Sequence, residues 1–291
     1  MRGAIEAMSR RAAPVATPAE ADLAQRLETA LVAASAGGVE AMRAFRAGLA
    51  VERKRDGSPV TAADRAAERA LRDAIRARHP DDGILGEEIE EESGVGDWRW
   101  IVDPIDGTAA FVSGVPLFAV LVAVEYRGEP VVGVLHFPAL GETVWASRGG
   151  GTWFNGERAR VSTVDRVEDA RVLTTELAAR PYASLDDEAR AVAARVGRAW
   201  DRLRTRASLA RTWGDAWGYA LVATGRADVM LDPACAIWDA APLLVVVEEA
   251  GGVFTDALGR RTHAGGSAIA TNSALSADVA RIMNEDDEPG S

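Results

Sequence analysis

Two carboxylates three residues apart, Asp103 and Asp106, follow the apolar run Trp100-Ile101-Val102 and enclose Pro104, with Gly107-Thr108 directly behind. Oxygen donors on a stiff, proline-bearing turn suit a hard cation such as Mg²⁺. The amides of the Gly-Thr pair could face a phosphate if a helix starts there. Asp-Pro and Asp-Gly are also ordinary turn dipeptides, so the pair gains meaning only from other acids. Three more sit where predicted elements begin or end: Asp64, Glu87 with Glu88 beside it, and Asp239. Each has a plainer reading. Thr61 and Asp64 have capping-box spacing, with Asp in place of the usual Glu, which by itself is a structural reason for Asp64. The acid run after Ile84-Leu85 has the composition of a solvated loop. Taken together, five carboxylates at element ends form an oxygen donor set, and two divalent cations about 4 Å apart are a known arrangement for phosphoryl hydrolysis. No P-loop, G-x-G-x-x-G, G-x-S-x-G elbow or H-E-x-x-H competes with that chemistry.

The elements that must position these acids are legible from periodicity. Leu23, Leu27, Leu31, Met42, Phe45 and Leu49 fall at helical spacing over 19–50, which predicts one long helix packed by one face, with Gly37-Gly38 as the point where it could kink. A basic loop with Arg53, Lys54 and Arg55 follows, then a helix from Thr61 to about Arg78 that Pro80 stops. Between Leu117 and Phe154, short β-branched runs punctuated by Gly and Pro predict an antiparallel meander. A composition shift at 165–171 suggests a boundary between halves at 19–165 and 166–285. The second half alternates: strand 172–175, helix 186–200, strand 202–205, helix 212–224, strand 228–231, helix 239–250, strands 252–255 and 267–270, and a closing helix from 276. That alternation predicts an α/β fold. The tails, 1–18 and 284–291, are expected to be disordered.

Composition narrows the partners. Forty-four acidic residues against 33 basic give a formal charge of −11, which argues against nucleic acid, whose affinity rests on neutralising phosphates with Lys and Arg. A small phosphate ester remains open, because a metal site reverses the local field. The single cysteine, Cys235, excludes an intrachain disulfide and makes the reducing cytoplasm the default. No segment reaches the length a membrane span needs. His79, His136 and His263 are scattered and read as surface or loop residues.

The strings DGSPVTAAD (56–64), GEE (86–88), WIVDPIDGT (100–108) and WDAA (238–241) with VEEAGG (247–252) resemble the inositol monophosphatase superfamily of metal-dependent, lithium-sensitive phosphomonoesterases. The resemblance spans roughly Leu23 to Met283 and implies a layered αβαβα sandwich of α/β (α+β) class and a homodimer. It implies that Glu87, Asp103 and the Ile105 carbonyl hold a first Mg²⁺ and that Asp103, Asp106 and Asp239 hold a second. A third, weaker ion would lean on Glu87, with Glu88 open as the ligand in its place. Thr108, oriented by Asp64, would help deprotonate the attacking water, and Asp106 with the Gly107 and Thr108 amides would bind phosphate. Asp232 falls where the family often contacts the alcohol.

Substrate choice is expected from residues 211–233. The TWGD-x-x-GY string there resembles the histidinol-phosphate phosphatases of the superfamily, and Asp215 and Tyr219, at i and i+4, could meet an imidazole or ammonium group. The plainer alternative is that Trp213, Trp217 and Tyr219 are interdomain packing and Asp215 caps or pairs locally. Two positions depart from the family pattern: Ala109-Ala110 after the Asp-Gly-Thr turn, and Pro242, expected in the first turn of its helix. The expected activity is hydrolysis of L-histidinol phosphate. Inositol-1-phosphate is the alternative, with fructose-1,6-bisphosphate or a 3′-phosphonucleotide behind it and a non-catalytic phosphate-binding module as a different class.

Overall fold

The computed structural model describes residues 18–47, 52–53, 59–175 and 186–285. In chain order, α1 (Glu20–Ala44), the short β1 (Glu52–Arg53) and β2 (Pro59–Val60), and α2 (Ala62–Arg76) lead into β3 (Gly83–Gly86) and β4 (Trp98–Asp106). The short α3 (Thr108–Val112) precedes a run of five strands: β5 (Ala119–Tyr126), β6 (Glu129–Phe137), β7 (Glu142–Ser147), β8 (Gly151–Phe154) and β9 (Glu157–Arg158). The second half contains β10 (Arg171–Thr174), α4 (Asp187–Arg206), β11 (Leu209–Arg211), α5 (Asp215–Ala223) and β12 (Val229–Asp232). It closes with α6 (Ile237–Glu249), β13 (Gly252–Thr255), β14 (Ala268–Asn272) and α7 (Ser276–Asn284).

Strands β3 to β9 form a seven-stranded sheet in sequence order, parallel between β3 and β4 and antiparallel from there on, as the meander pattern predicts. The second sheet has five strands in the order β11-β10-β12-β14-β13. Strand alternation then builds the layers. On β5, Val120, Val122 and Val124 pack against α1 and α2, whereas Ala119 and Leu121 face the opposite way into a core shared with α5, α6 and the second sheet. The far face of the second sheet, through Val172, Val229, Leu231 and Ile269, meets Val196, Ala199 and Leu203 of α4 and Val279, Ile282 and Met283 of α7. The order is therefore α1/α2, seven-stranded sheet, α5/α6, five-stranded sheet, α4/α7: an αβαβα sandwich. Sheets buried on both faces explain why β5 reads as a continuous apolar run.

Several local expectations need correction. Helix α1 is the one long helix expected, and it runs unbroken through Gly37-Gly38, where Leu71, Val120 and His136 lie against the glycine pair. The strand expected at 202–205 is the last turn of α4, where Leu203 continues the buried stripe of Val196 and Ala199; the strand lies further on, as β11. Helix α6 begins two residues earlier than expected, so Pro242 sits in its second turn and removes the helical partner of the Trp238 carbonyl. His79 is buried, hydrogen-bonded to Thr29 Oγ1 at 3.1 Å, and burial pulls its pKa below the usual histidine value. His263 pairs with the buried Glu125 at 2.6 Å. Lys54 and Arg55 and most of both tails lie outside the described residues, although α7 extends to Asn284. No described helix is long and apolar enough to cross a membrane.

One ion pair ties the first layer to the sheet. Arg26 of α1 grips Asp82 through two 3.0 Å bonds, and the Trp100 indole donates to the same carboxylate at 2.9 Å. Arg26→Met leaves that buried carboxylate without its cation and is expected to cost about 3 kcal/mol in a urea unfolding titration. A loss under about 1 kcal/mol would put the pair in the class of exposed surface bridges.

Candidate active site

Strand β4 supplies the centre. Trp100 and Val102 face α1 and α2, which turns Ile101 and Asp103 toward α6. In a regular strand Asp106 would then point away from Asp103. The β4–β5 register instead shifts here: Asp103 lies opposite Leu121 and Asp106 opposite Ala119, three steps against two. The shift falls between Asp103 and Asp106, an interval that contains Pro104, which has no N–H to give the ladder. Both carboxylates thereby reach one side, and an oxygen from each of Asp103, Asp106 and Asp239 lies within 4.8 Å of the others. Glu87, just past the end of β3, stands outside this trio but close enough that its charge raises the pKa of both Asp103 and Asp239.

These acids repeat one local device: an oxygen accepts a backbone N–H and thereby fixes the direction of the carboxylate. Asp103 Oδ1 takes the Ile105 amide at 2.9 Å, Asp106 Oδ2 takes Ala216 at 2.8 Å, Asp239 Oδ2 takes Ala236 at 2.9 Å, and Asp232 Oδ1 takes Ala234 at 3.2 Å. Asp64 belongs to the same pattern, with its Oδ2 accepting the Thr61 amide at 2.7 Å and hydroxyl at 2.8 Å. Capping and function are compatible readings of Asp64, because Glu87 lies close enough to help raise its pKa.

The electrostatics are those of a site short of positive charge. Burial lifts the Asp103 carboxyl well above the usual range, and the negative charges of Glu87, Asp239 and Asp106 lift it further. Asp106 is raised by burial and then by Asp215 and Asp239; Asp232 by burial and then Asp215. Asp239 is pushed up to about 7, by burial first and then by Glu87 and Asp215. A cation would relieve all of these at once, and an all-carboxylate donor set fits a hard ion.

Gly107 caps α3 in the left-handed conformation (φ 77°), and a side chain there would approach Asp215 Oδ2 to 3.1 Å. That contact places Asp215 against the turn expected to hold phosphate. Asp215 itself starts α5 at φ 51°, and the Thr175 hydroxyl donates to its Oδ1 at 3.2 Å. The Thr108 hydroxyl donates to the Ile105 carbonyl at 3.1 Å. Tyr219 departs from expectation. Its ring is fully buried beside Phe254 and its hydroxyl donates to the Ala268 carbonyl at 3.3 Å, so it faces the core rather than a substrate. Trp217 likewise packs edge-on against Phe137.

The sequence profile of the inositol monophosphatase family matches residues 22–287. The chain belongs to that family. A histidinol-phosphatase from Chlorobaculum parvum is 42% identical over 82% of this chain and 89% of its own length, and one from Mycobacterium tuberculosis is 38% identical over 81% and 88%. Among solved structures, the Thermotoga maritima IMPase superposes with a TM-score of 0.77 at 34% identity, covering 89% of this chain and 97% of that one. As a member of the inositol monophosphatase family the chain is a phosphoric monoester hydrolase, and enzymes of this family are metal-dependent.

The raised carboxyls give this phosphatase an expected pH signature. Unfolded aspartates titrate near about 3.9, so the metal-free folded protein holds extra protons from there up to about 7 at Asp239. The stability tied to those protons is present below the unfolded pKa and is lost as pH rises through the folded one. Melting in EDTA should therefore fall between pH 5 and pH 8, and Mg²⁺ should raise Tm more at pH 8 than at pH 5. An equal Mg²⁺ increment at both values would refute the account.

Two contributors had no sequence signal of their own: the Ala216 amide that holds Asp106, and Thr175, which holds Asp215. Both come from the second half of the chain.

Proposed function

We propose that this chain hydrolyses L-histidinol phosphate to L-histidinol and phosphate with Mg²⁺ as cofactor, two or three ions per site. The observation that carries the substrate is the surplus of acid. Beyond Glu87, Asp103, Asp106 and Asp239, the pair Asp215 and Asp232 lies within electrostatic reach of Asp106 and of each other. An alcohol that bears an ammonium group suits such a surface, whereas the hydroxyls of an inositol gain less from it. The histidinol-phosphatase names of similar proteins support the same reading.

Glu87, Asp103, Asp106, Asp239 and the Ile105 carbonyl are the donors that would hold the ions. When bound, they would neutralise phosphate and transition-state charge and make water more acidic. The Gly107 and Thr108 amides orient the phosphate, and Asp64, Glu87 and Thr108 are the groups assigned to the water's proton. Water's oxygen forms the new bond to phosphorus, the bond to the primary alcohol oxygen breaks, and that oxygen leaves with a proton. A homodimer and a cytoplasmic location belong to the same reading, which rests there on the family resemblance and the single cysteine.

Phosphate release from histidinol phosphate, inositol-1-phosphate, fructose-1,6-bisphosphate and 3′-phosphoadenosine 5′-phosphate, with and without Mg²⁺, tests the proposal. The expected result is a kcat/KM preference for histidinol phosphate that disappears in EDTA. A preference for inositol-1-phosphate would retain the chemistry and reject the substrate. No release from any of the four would favour a phosphate-binding protein.

A further inference from the structure

Helix α2 carries a buried ion pair that no step of the chemistry uses. Glu68 stands one turn after Asp64 and Arg72 one turn after Glu68, both essentially inaccessible at 0% and 2%. Glu68 Oε1 accepts Arg72 Nε at 2.9 Å and Nη2 at 2.8 Å. The rest of the pair's hydrogen bonding goes to the segment that follows β3. Glu68 Oε2 accepts the Glu88 amide at 2.8 Å. Arg72 Nη2 donates to the Ile89 carbonyl at 2.9 Å, and Nη1 to Glu92 Oε1 at 2.7 Å. On the other side of Glu87, Gly86 presses so closely on Glu68 that a Cβ would come within 2.0 Å of Oε1. The residues flanking Glu87 in the chain thus both rest on one carboxylate, and that carboxylate rests on one guanidinium.

A buried ion pair is a poor device for stability alone, since apolar residues of the same volume often do as well. This pair directs its contacts to the backbone of a segment holding five glutamates between 87 and 92, which without a cation would repel itself. We propose that Glu68 and Arg72 are positioning residues for the metal site, fixing the main chain on both sides of Glu87 so that its carboxylate meets Asp103, and so setting the affinity for divalent cations. The proposal rests on the metal-site reading above.

Calorimetric titration of Mn²⁺ into metal-free protein tests it, with thermal unfolding of the same samples. Arg72→Met is expected to weaken Mn²⁺ binding by about 10- to 100-fold, the usual effect of losing a group that orients a ligand. Arg72→Lys, which keeps the charge but loses the planar fork, should fall between wild type and Arg72→Met. The double variant Glu68→Gln/Arg72→Met buries no unpaired charge and so should fold, and it should show the same weakened binding. In activity assays the Mg²⁺ requirement should rise by the same factor while kcat at saturating Mg²⁺ is largely kept. Arg26→Met serves as the comparison: it breaks a different buried pair, so it should lower Tm and leave Mn²⁺ affinity unchanged. If Arg72→Met lowers Tm without weakening Mn²⁺ binding, or Arg26→Met weakens it equally, the pair is only structural. If wild type binds no Mn²⁺, the metal-site reading falls and this proposal with it.

Discussion

If Asp103 is the ligand shared by two cations that the proposed function makes it, Asp103→Asn is expected to lower kcat by about 10³-fold or more, since such a ligand supports several kcal/mol of transition-state charge. The stability change should have the opposite sign. Asp103 is buried among Glu87, Asp106 and Asp239, and its carboxyl is held well above the usual range by burial and by those charges. Asparagine keeps an oxygen that can still accept the Ile105 amide, and it removes one charge from the cluster. Metal-free Asp103→Asn should therefore melt no lower than the wild type at pH 8, and above it if repulsion dominates. The Mg²⁺-dependent rise in Tm should vanish at the same time. That combination separates a ligand from a structural residue, because a structural aspartate would lose activity and stability together. Wild-type turnover in the variant would sink the two-metal reading outright.

The acids at element ends were legible because each has to satisfy a local rule as well as a chemical one. Asp64 and Asp239 stand at the third position of their helices and accept the amides of Thr61 and Ala236. For Asp64 the Thr61 capping signal is enough to find the position; Asp239 has only Ala236 at the cap, and its helix starts two residues before the expected bound, so its place comes from the WDAA string. The spacing of Asp103 and Asp106 was visible, but the reason it works was not. Three residues along a strand point to opposite faces, and only the register shift around Pro104 turns both carboxylates inward. The proline was the one local hint. Tyr219 shows the opposite failure. Its spacing from Asp215 suggested a shared face, yet Asp215 opens α5 at a positive φ and bonds Thr175, while one turn later the helix is enclosed between the two sheets. Helical periodicity tells which residues share a side, and only tertiary packing tells which side meets substrate. The contacts of Ala216 and Thr175 lie beyond any local pattern, because they join residues 110 and 40 positions apart in the chain.

Asp215→Asn should separate substrate recognition from phosphate chemistry. The carboxylate sits beside Gly107 and is the neighbouring charge that acts most strongly on both Asp106 and Asp232, so it lies where the phosphate end and the alcohol end of a substrate would meet. Asparagine can still accept from Thr175 and leaves the start of α5 intact, which keeps the Ala216 amide on Asp106. What it removes is negative charge. A charge-assisted hydrogen bond to an ammonium or imidazolium group contributes about 1.5–3 kcal/mol, so KM for histidinol phosphate should rise by about 10- to 100-fold. An aryl phosphate has no cation to lose, and its KM should stay level or fall slightly as the site becomes less acidic. Asp232→Asn tests the second acid in the same way. If each acid contacts the substrate cation, the two substitutions should be less than additive on KM. A rise shared equally by both substrates would mean that Asp215 only braces the Gly107 turn, and the specificity assigned to residues 211–233 would then have to be sought elsewhere.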